Sequence, residues 1–422
     1  MRTARTGPAG AREVVTELNG AEEARAGQTG AATFRGLAAS PQFMVLIGGF
    51  ALYGMAVAVT ALGLSVLVYQ RTGSALLSGL GLAAESLPYL IGATFLLAHA
   101  DRVPPRPGLA GVGVAQVAVL ALLASGWLPV AAMLAVTFGL GVVLPIGTAI
   151  RSALLPELLR PGLYVLGRAV LNVTGYVTQV VGYALGGTLL VVLGARATLW
   201  VAAGLALGAV VVHWVGLRAR AARGPGQGAA WRQTWRVNRR LLGDGRIRRL
   251  LLAHWLPLAA IAGPEAALVP YAAGHGEAAL AGGLLWAVAA GNLVGDLTVG
   301  RYVPVGRQER LVLPLALLMG VPLLGFAARP GLAGAAGLCF VASTGVAYQL
   351  GLQRRFLDAV PEEVRGQAFG LLVTGITTVQ SLAVAVAAAL AEALGPGTVV
   401  VVFGGVTVAI ALTLTRLLRH NP

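Results

Sequence analysis

The chain has 422 residues, 57% hydrophobic and only 11% charged, where a soluble domain carries about a quarter charged residues. It cannot clothe itself in polar surface, and its repeated apolar runs of about twenty residues, each enough to cross a ~30 Å hydrocarbon core as helix, exclude a soluble class; the lack of period-two alternation excludes a transmembrane barrel. The formal net charge is +15, and all 31 basic residues are Arg, a balance that would suggest nucleic acid in a soluble protein but here has first to be placed on loops.

Residues 1–41 are polar and rich in Gly, Ala and charge. With no apolar stretch before a cleavage site they are not a signal peptide, and a disordered cytoplasmic tail is expected. Hydropathy and loop signals then predict an N-terminal six-helix bundle over 42–217, with spans near 43–68, 76–98, 108–125, 128–149, 168–192 and 197–216. A basic cytoplasmic linker over 218–249 holds ten Arg against one acid. A second six-helix bundle over 250–418 follows, with spans near 250–272, 278–299, 311–327, 332–352, 367–391 and 397–415. The fold class expected is an all-α integral membrane protein of twelve transmembrane helices in two pseudo-symmetric bundles.

Placing the tail, the even-numbered connections and the C-terminus on one side gathers 28 of the 31 Arg there, leaving Arg71, Arg196 and Arg329 on the other. This positive-inside pattern predicts that both termini are cytoplasmic, and it accounts for the charge without nucleic acid. The linker arginines are also placed to touch anionic lipid headgroups. The halves echo one another: Val103-Pro104 after span 2 matches Val303-Pro304 after span 8, and "PELLR" at Pro156 after span 4 matches "PEEVR" at Pro361 after span 10. Parallel halves of this kind place a binding site between them, near the midplane.

Polar side chains turn away from lipid and so mark the site. On span 5, Asn172, Tyr176, Gln179 and Tyr183 recur at helical spacing on one face; on span 11, Thr374, Thr378 and Ser381 do the same, with Gln380 beside them. These eight are the expected substrate cavity. Three acids lie inside spans. Glu85 is expected near the midplane, facing the cavity, with three readings open: proton coupling, recognition of a cationic substrate, or a hydrogen-bonded structural carboxyl. Glu265 is substrate-facing, proton-linked or in a wet outer vestibule, and Asp296 is expected in a structural ion pair with Arg301 or Arg307. His254 reads as a satisfied interface histidine and Cys339, in an apolar run, as a small core residue. The five His show no metal spacing and no Ser or Cys has an evident base nearby, so neither an enzyme nor a metal site is expected.

At these residues the sequence resembles the major facilitator superfamily, and within it the bacterial drug-efflux branch of macrolide and siderophore exporters. "VLVYQRTGSALLSGL" in the first outer loop, "LPYLIG" with "DRVPPR" around the end of span 2, and "VPEEVRGQAFGL" entering span 11 carry the likeness. The branch's span-5 antiporter motif reads here Gly182-Tyr183-Ala184-Leu185-Gly186-Gly187, without its Pro, and Leu97 stands where the loop motif opens with Gly. The resemblance implies a proton-driven exporter of a hydrophobic or amphipathic small molecule in a bacterial plasma membrane, with no cofactor beyond the proton gradient. A monomer with no obligate protein partner is expected, in contact with its small-molecule substrate and the lipid bilayer. Asp101, Arg102, Arg106 and Arg365 would form a cytoplasmic gate, Asp101 set against the N-terminus of span 11. Gly182, Gly186 and Gly187 fit close helix packing. A transporter of a polar metabolite, or a receptor or scaffold that transports nothing, is the alternative.

Overall fold

The computed structural model describes residues 34–96, 102–160, 163–222, 230–276 and 278–419. Among these residues there are helices and turns and no strand, as hydrocarbon demands of a chain whose backbone polar groups must find partners within their own segment.

Span 1 is α1 (Pro41–Thr72), stopped by Gly73 in the left-handed region at φ 65. Span 2 is broken into α2 (Ala75–Ala83) and α3 (Tyr89–Phe95). Pro88 explains the break, because it has no N–H and its ring crowds the carbonyl four residues back. Spans 3 and 4 are α4 (Pro105–Ser125) and α5 (Val130–Leu158). Helix α6 (Tyr164–Gly216) carries spans 5 and 6, and the chain reverses between them at Gly194, φ 77 and ψ 170, a backbone that favours glycine. Just beyond, Arg196 donates to the carbonyls of Ala124 and Ser125, at 3.2 and 2.5 Å, which fastens this turn to the end of span 3.

The expected linker contains a helix of its own, α7 (Ala230–Gly243). Asp244 then caps span 7, its carboxylate accepting from the N–H groups of Arg246 and Ile247 at 2.8 and 3.0 Å. That span is also broken, into α8 (Gly245–Ala262) and α9 (Glu265–Ala273), at Gly263-Pro264. Span 8 is α10 (Ala281–Tyr302), and span 9 is α11 (Val312–Gly320) continued by a 3-10 stretch over Pro322–Ala328. Span 10 is α12 (Leu332–Thr344) and α13 (Tyr348–Ala359), and spans 11 and 12 are α14 (Arg365–Leu394) and α15 (Pro396–Arg419). Among the described residues, ten helical stretches are long and apolar enough to cross a membrane. One of them, Leu166–Gly216, is the double span, and broken span 2 brings the architecture to twelve.

Two boundaries differ from expectation, and the linker holds secondary structure of its own. Residues 1–33 lie outside the described residues, but Phe34–Ala38 is a short helix whose Leu37 is buried with Phe43, Leu155 and Leu159, so packed chain begins before residue 42. The linker is largely helical from 230 onward. Span 4 runs to Leu158 rather than 149, which moves Arg151 from a loop into the bundle, where it is buried.

The largest core joins both halves. Leu62, Leu64, Tyr183 and Leu199 from spans 1, 5 and 6 share one buried cluster with Ala266, Leu284 and Ala388 from spans 7, 8 and 11. Small residues permit this approach: a Cβ on Gly187 would sit 2.9 Å from the Gly282 Cα, and one on Gly79 would sit 2.4 Å from the Ala388 Cβ. These contacts lie toward the face that carries Arg71, Arg196 and Arg329, called here the Arg-poor face.

Candidate functional site

Glu85 lies in the break of span 2, in the turn between α2 and α3. Counted from Ala75 it is roughly 15 Å into the bilayer at ~1.5 Å per residue, close to the middle of the hydrocarbon. Both carboxyl oxygens are buried without a hydrogen-bond partner, in a setting where an unpaired charge is costly. Tyr53 of span 1 is within electrostatic range of it. The backbone at Glu85 is held by span 4, where a Cβ on Gly141 would meet the Glu85 carbonyl oxygen at 2.3 Å.

The polar face of span 5 meets two acids of the other half. Tyr176 is within hydrogen-bonding reach of Asp296 on span 8. Tyr183 is 6% exposed, lies beside Gln179 one helical turn back and is within electrostatic range of Glu265. Glu265 opens the second half of span 7 and lines a small recess with Ile261, Leu268, Leu323, Cys339 and Ser343. Asn172, on the Arg-rich side of Tyr176, is exposed. Asp296 therefore faces Tyr176, and no ion pair joins it to Arg301 or Arg307 among the described residues; the guanidinium of Arg301 instead stacks 5.9 Å from the Tyr302 ring. Helix direction explains the difference, since span 8 turns residue 296 toward the seam and its terminal Arg301 outward, while Arg307 lies beyond the end of the span.

The span-11 group turns inward on itself. Thr378 donates to the Thr374 carbonyl and Ser381 to the Thr377 carbonyl, each at 2.8 Å. Ser381 is buried and Gln380 half-buried. The glycines of span 5 act through space: a Cβ on Gly182 would meet that of Ala58 at 2.6 Å, and one on Gly186 would touch Val59 and Leu62 of span 1 at 3.4 Å. His254 is buried, its Nδ1 2.8 Å from the Leu250 carbonyl.

Two groups escaped the sequence reading. Arg151 is 8% exposed, its guanidinium 4.9 and 5.0 Å from the Phe50 and Tyr53 rings and donating to Thr148 Oγ1 at 3.1 Å. No carboxylate among the described residues pairs with it. Glu392, at the far end of span 11, accepts from Ser74 Oγ at 3.1 Å and the Leu76 N–H at 3.0 Å, tying the two halves together at the Arg-poor face. The spacing of Arg151 and Phe50 gave no signal, since they meet only in the fold.

The expected gate is divided. Asp101 lies outside the described residues. Arg102 is exposed. Arg106 stacks 4.6 Å over Trp214 of its own half, and Arg365 pairs with Glu362 at 2.8 Å in its own segment. In this conformation the described gate residues do not bridge the halves, whereas Glu392 does so at the Arg-poor face.

No curated protein matches by sequence. The human organic anion transporter MFSD10 (TETRAN) superposes with a TM-score of 0.62 at 17% identity, covering 89% of this chain and 99% of that one. The nucleoside transporter NupG, solved as a mutant, superposes at 0.67 and 13% identity, covering 90% and 100%. At these identities the likeness shows the fold alone. The family model of the Major Facilitator Superfamily matches residues 44–357; with the twelve spans and the seam between two bundles, this makes the chain a member of the Major Facilitator Superfamily, a multi-pass membrane transporter and not an enzyme.

Proposed function

We propose that this transporter exports a hydrophobic or amphipathic small molecule by alternating access, driven by proton entry. The carrying observation is Glu85: a carboxyl at a broken helix near the midplane, with both oxygens buried and unpartnered, is a place where a proton can be taken up when the site is closed to water and given back when it opens. Glu265, near Tyr183, is the second candidate for that exchange. The cavity between the halves is expected to take substrate between Tyr176, Gln179 and Tyr183 and the span-11 residues Thr374, Thr378, Gln380 and Ser381. Apolar walls with few polar groups suit a greasy ligand; the open groove beside Gly187 and Gly282, lined by exposed residues such as Val191, Leu280 and Trp286, lies outside this cavity.

In this reading the Arg-rich face is cytoplasmic, in a bacterial plasma membrane, and the protein acts as a monomer without a cofactor, nucleic acid or obligate protein partner. Asp101, Arg102, Arg106 and Arg365 would engage across the halves when the cytoplasmic side closes. The test is accumulation in inverted vesicles from a host lacking its own pumps. An imposed pH gradient, acid inside, should drive uptake of lipophilic dyes, and collapsing it with a protonophore should abolish uptake; accumulation indifferent to the gradient would overturn the coupling.

A second reading, a polar anionic metabolite, is favoured by Arg151, a buried cation with no acid against it among the described residues. Arg151→Gln separates the two. It should abolish transport of a carboxylate-bearing probe if that reading holds, and spare neutral dyes.

A further inference from the structure

Helix α7 stands on the Arg-rich side, joined directly by Asp244 to the start of span 7. Its two faces have different neighbours. Leu241 is 3% exposed, and with Val237 and Leu242 it packs against Ile247 and Leu250 of span 7, Phe356 of span 10 and Ala368 and Leu372 of span 11. The side-chain oxygen of Asn238 accepts a bond from Gln367 at 3.4 Å. This face is occupied by the protein.

The remaining surface is not. Arg236, Arg239 and Arg240 are exposed and share one arc of the helix by register. None of the three is ion-paired among the described residues. The helix Ala230–Gly243 contains no acid to balance them. Trp235 borders that arc and is 56% exposed, a large amphipathic ring that the protein leaves uncovered. Because the helix leads straight into a membrane span, its depth is that of the boundary between headgroups and acyl chains. Tryptophan is enriched at that depth, and clustered arginines on an interfacial helix attract phosphate-bearing headgroups.

We propose that α7 is an interfacial helix that binds the headgroups of anionic phospholipids, with Arg236, Arg239 and Arg240 on the phosphates and Trp235 set among the upper acyl chains. A soluble acidic partner would satisfy the arginines but would not call for the tryptophan beside them. The inference rests on the placement of the helix against the membrane and not on which substrate is carried.

The test uses the full-length protein in neutral micelles, titrated with phosphatidylglycerol brominated near the headgroup, or with phosphatidylcholine brominated in the same place. The signal is the fluorescence quenching lost when Trp235 is replaced by Phe, which isolates that ring from the other tryptophans. Phosphatidylglycerol should quench Trp235 well below the concentration at which phosphatidylcholine does, and added salt should narrow the gap. Replacing one arginine with Gln should raise the half-quenching concentration roughly fivefold, and replacing all three on the order of a hundredfold; Arg→Lys at the same positions should keep most of the binding. Arg239→Gln alone serves as the readout should the triple variant fail to fold. Equal quenching by the two lipids, or a half-point that none of these substitutions moves, would overturn the proposal. So would protection of Trp235 by a cytosolic protein in the absence of any lipid preference.

Discussion

Gly282→Ala tests whether the seam between spans 5 and 8 is a moving joint. A Cβ at 282 would stand 2.3 Å from the Gly187 Cα and 3.1 Å from its nitrogen, where ordinary contact begins near 3.4 Å. The obstacle is backbone, which has no rotamer to change, so the two helices must separate by about 1 Å, and overpacking of this kind costs roughly 1–3 kcal/mol. That cost falls on the conformation in which the Arg-poor face is shut, and it is relieved when the halves part there. The balance should therefore shift toward the conformer open on that face by about five- to a hundredfold. The assay is labelling of a cysteine placed at Ala266, which is 1% exposed beneath the seam, by a membrane-impermeant maleimide, with Cys339 replaced by Ser. Gly283→Ala is the control, because a Cβ there meets nothing within 4 Å. Equal labelling rates in the two variants would refute the idea that this contact closes the face.

Other outcomes follow from single contacts. Glu392→Ala removes the acceptor of the Ser74 and Leu76 bonds across the seam and should raise labelling of the same cysteine, with Glu392→Gln intermediate; unchanged labelling in both would show that the bond is incidental. Tyr348→Phe deletes a buried hydroxyl that donates to the Ala253 and His254 carbonyls at 3.1 and 2.9 Å, and should lower stability to denaturant titration by about 1 kcal/mol without altering transport. Tyr176→Phe and Asp296→Asn should impair transport by similar factors and the double variant by little more, because each removes the same contact; full additivity would deny the pairing.

Hydropathy made the spans legible because each is an apolar run closed by Pro, Gly or Arg, and this much needs no knowledge of which face a helix turns to its neighbours. The faces were legible where polar residues recur at helical spacing, as on span 5. What escaped was set by three-dimensional neighbours. Arg151 was counted with the loops because the most apolar stretch ends near residue 149, while "SALLPEL" continues the same helix on amphipathic terms. Asp296 lay nearer in sequence to Arg301 than to anything else, but a helix separates residues five apart onto different faces, and its neighbour comes from the other half of the chain. The breaks at Glu85 and Glu265 had a readable cause, Pro88 and Pro264, whose effect on a helix is general. The amphipathic order of 230–243 was hidden inside a segment whose composition alone suggested a loop.

Coupling of proton movement to export through Glu85 is decided by Glu85→Gln in proteoliposomes, with uphill transport and substrate exchange measured on the same preparation. Gln keeps the size of the side chain and cannot carry a proton on and off. Exchange of labelled for unlabelled substrate should continue while accumulation driven by a pH gradient is lost for every substrate. A Glu85→Gln variant that still concentrates substrate in proportion to the pH difference would contradict it.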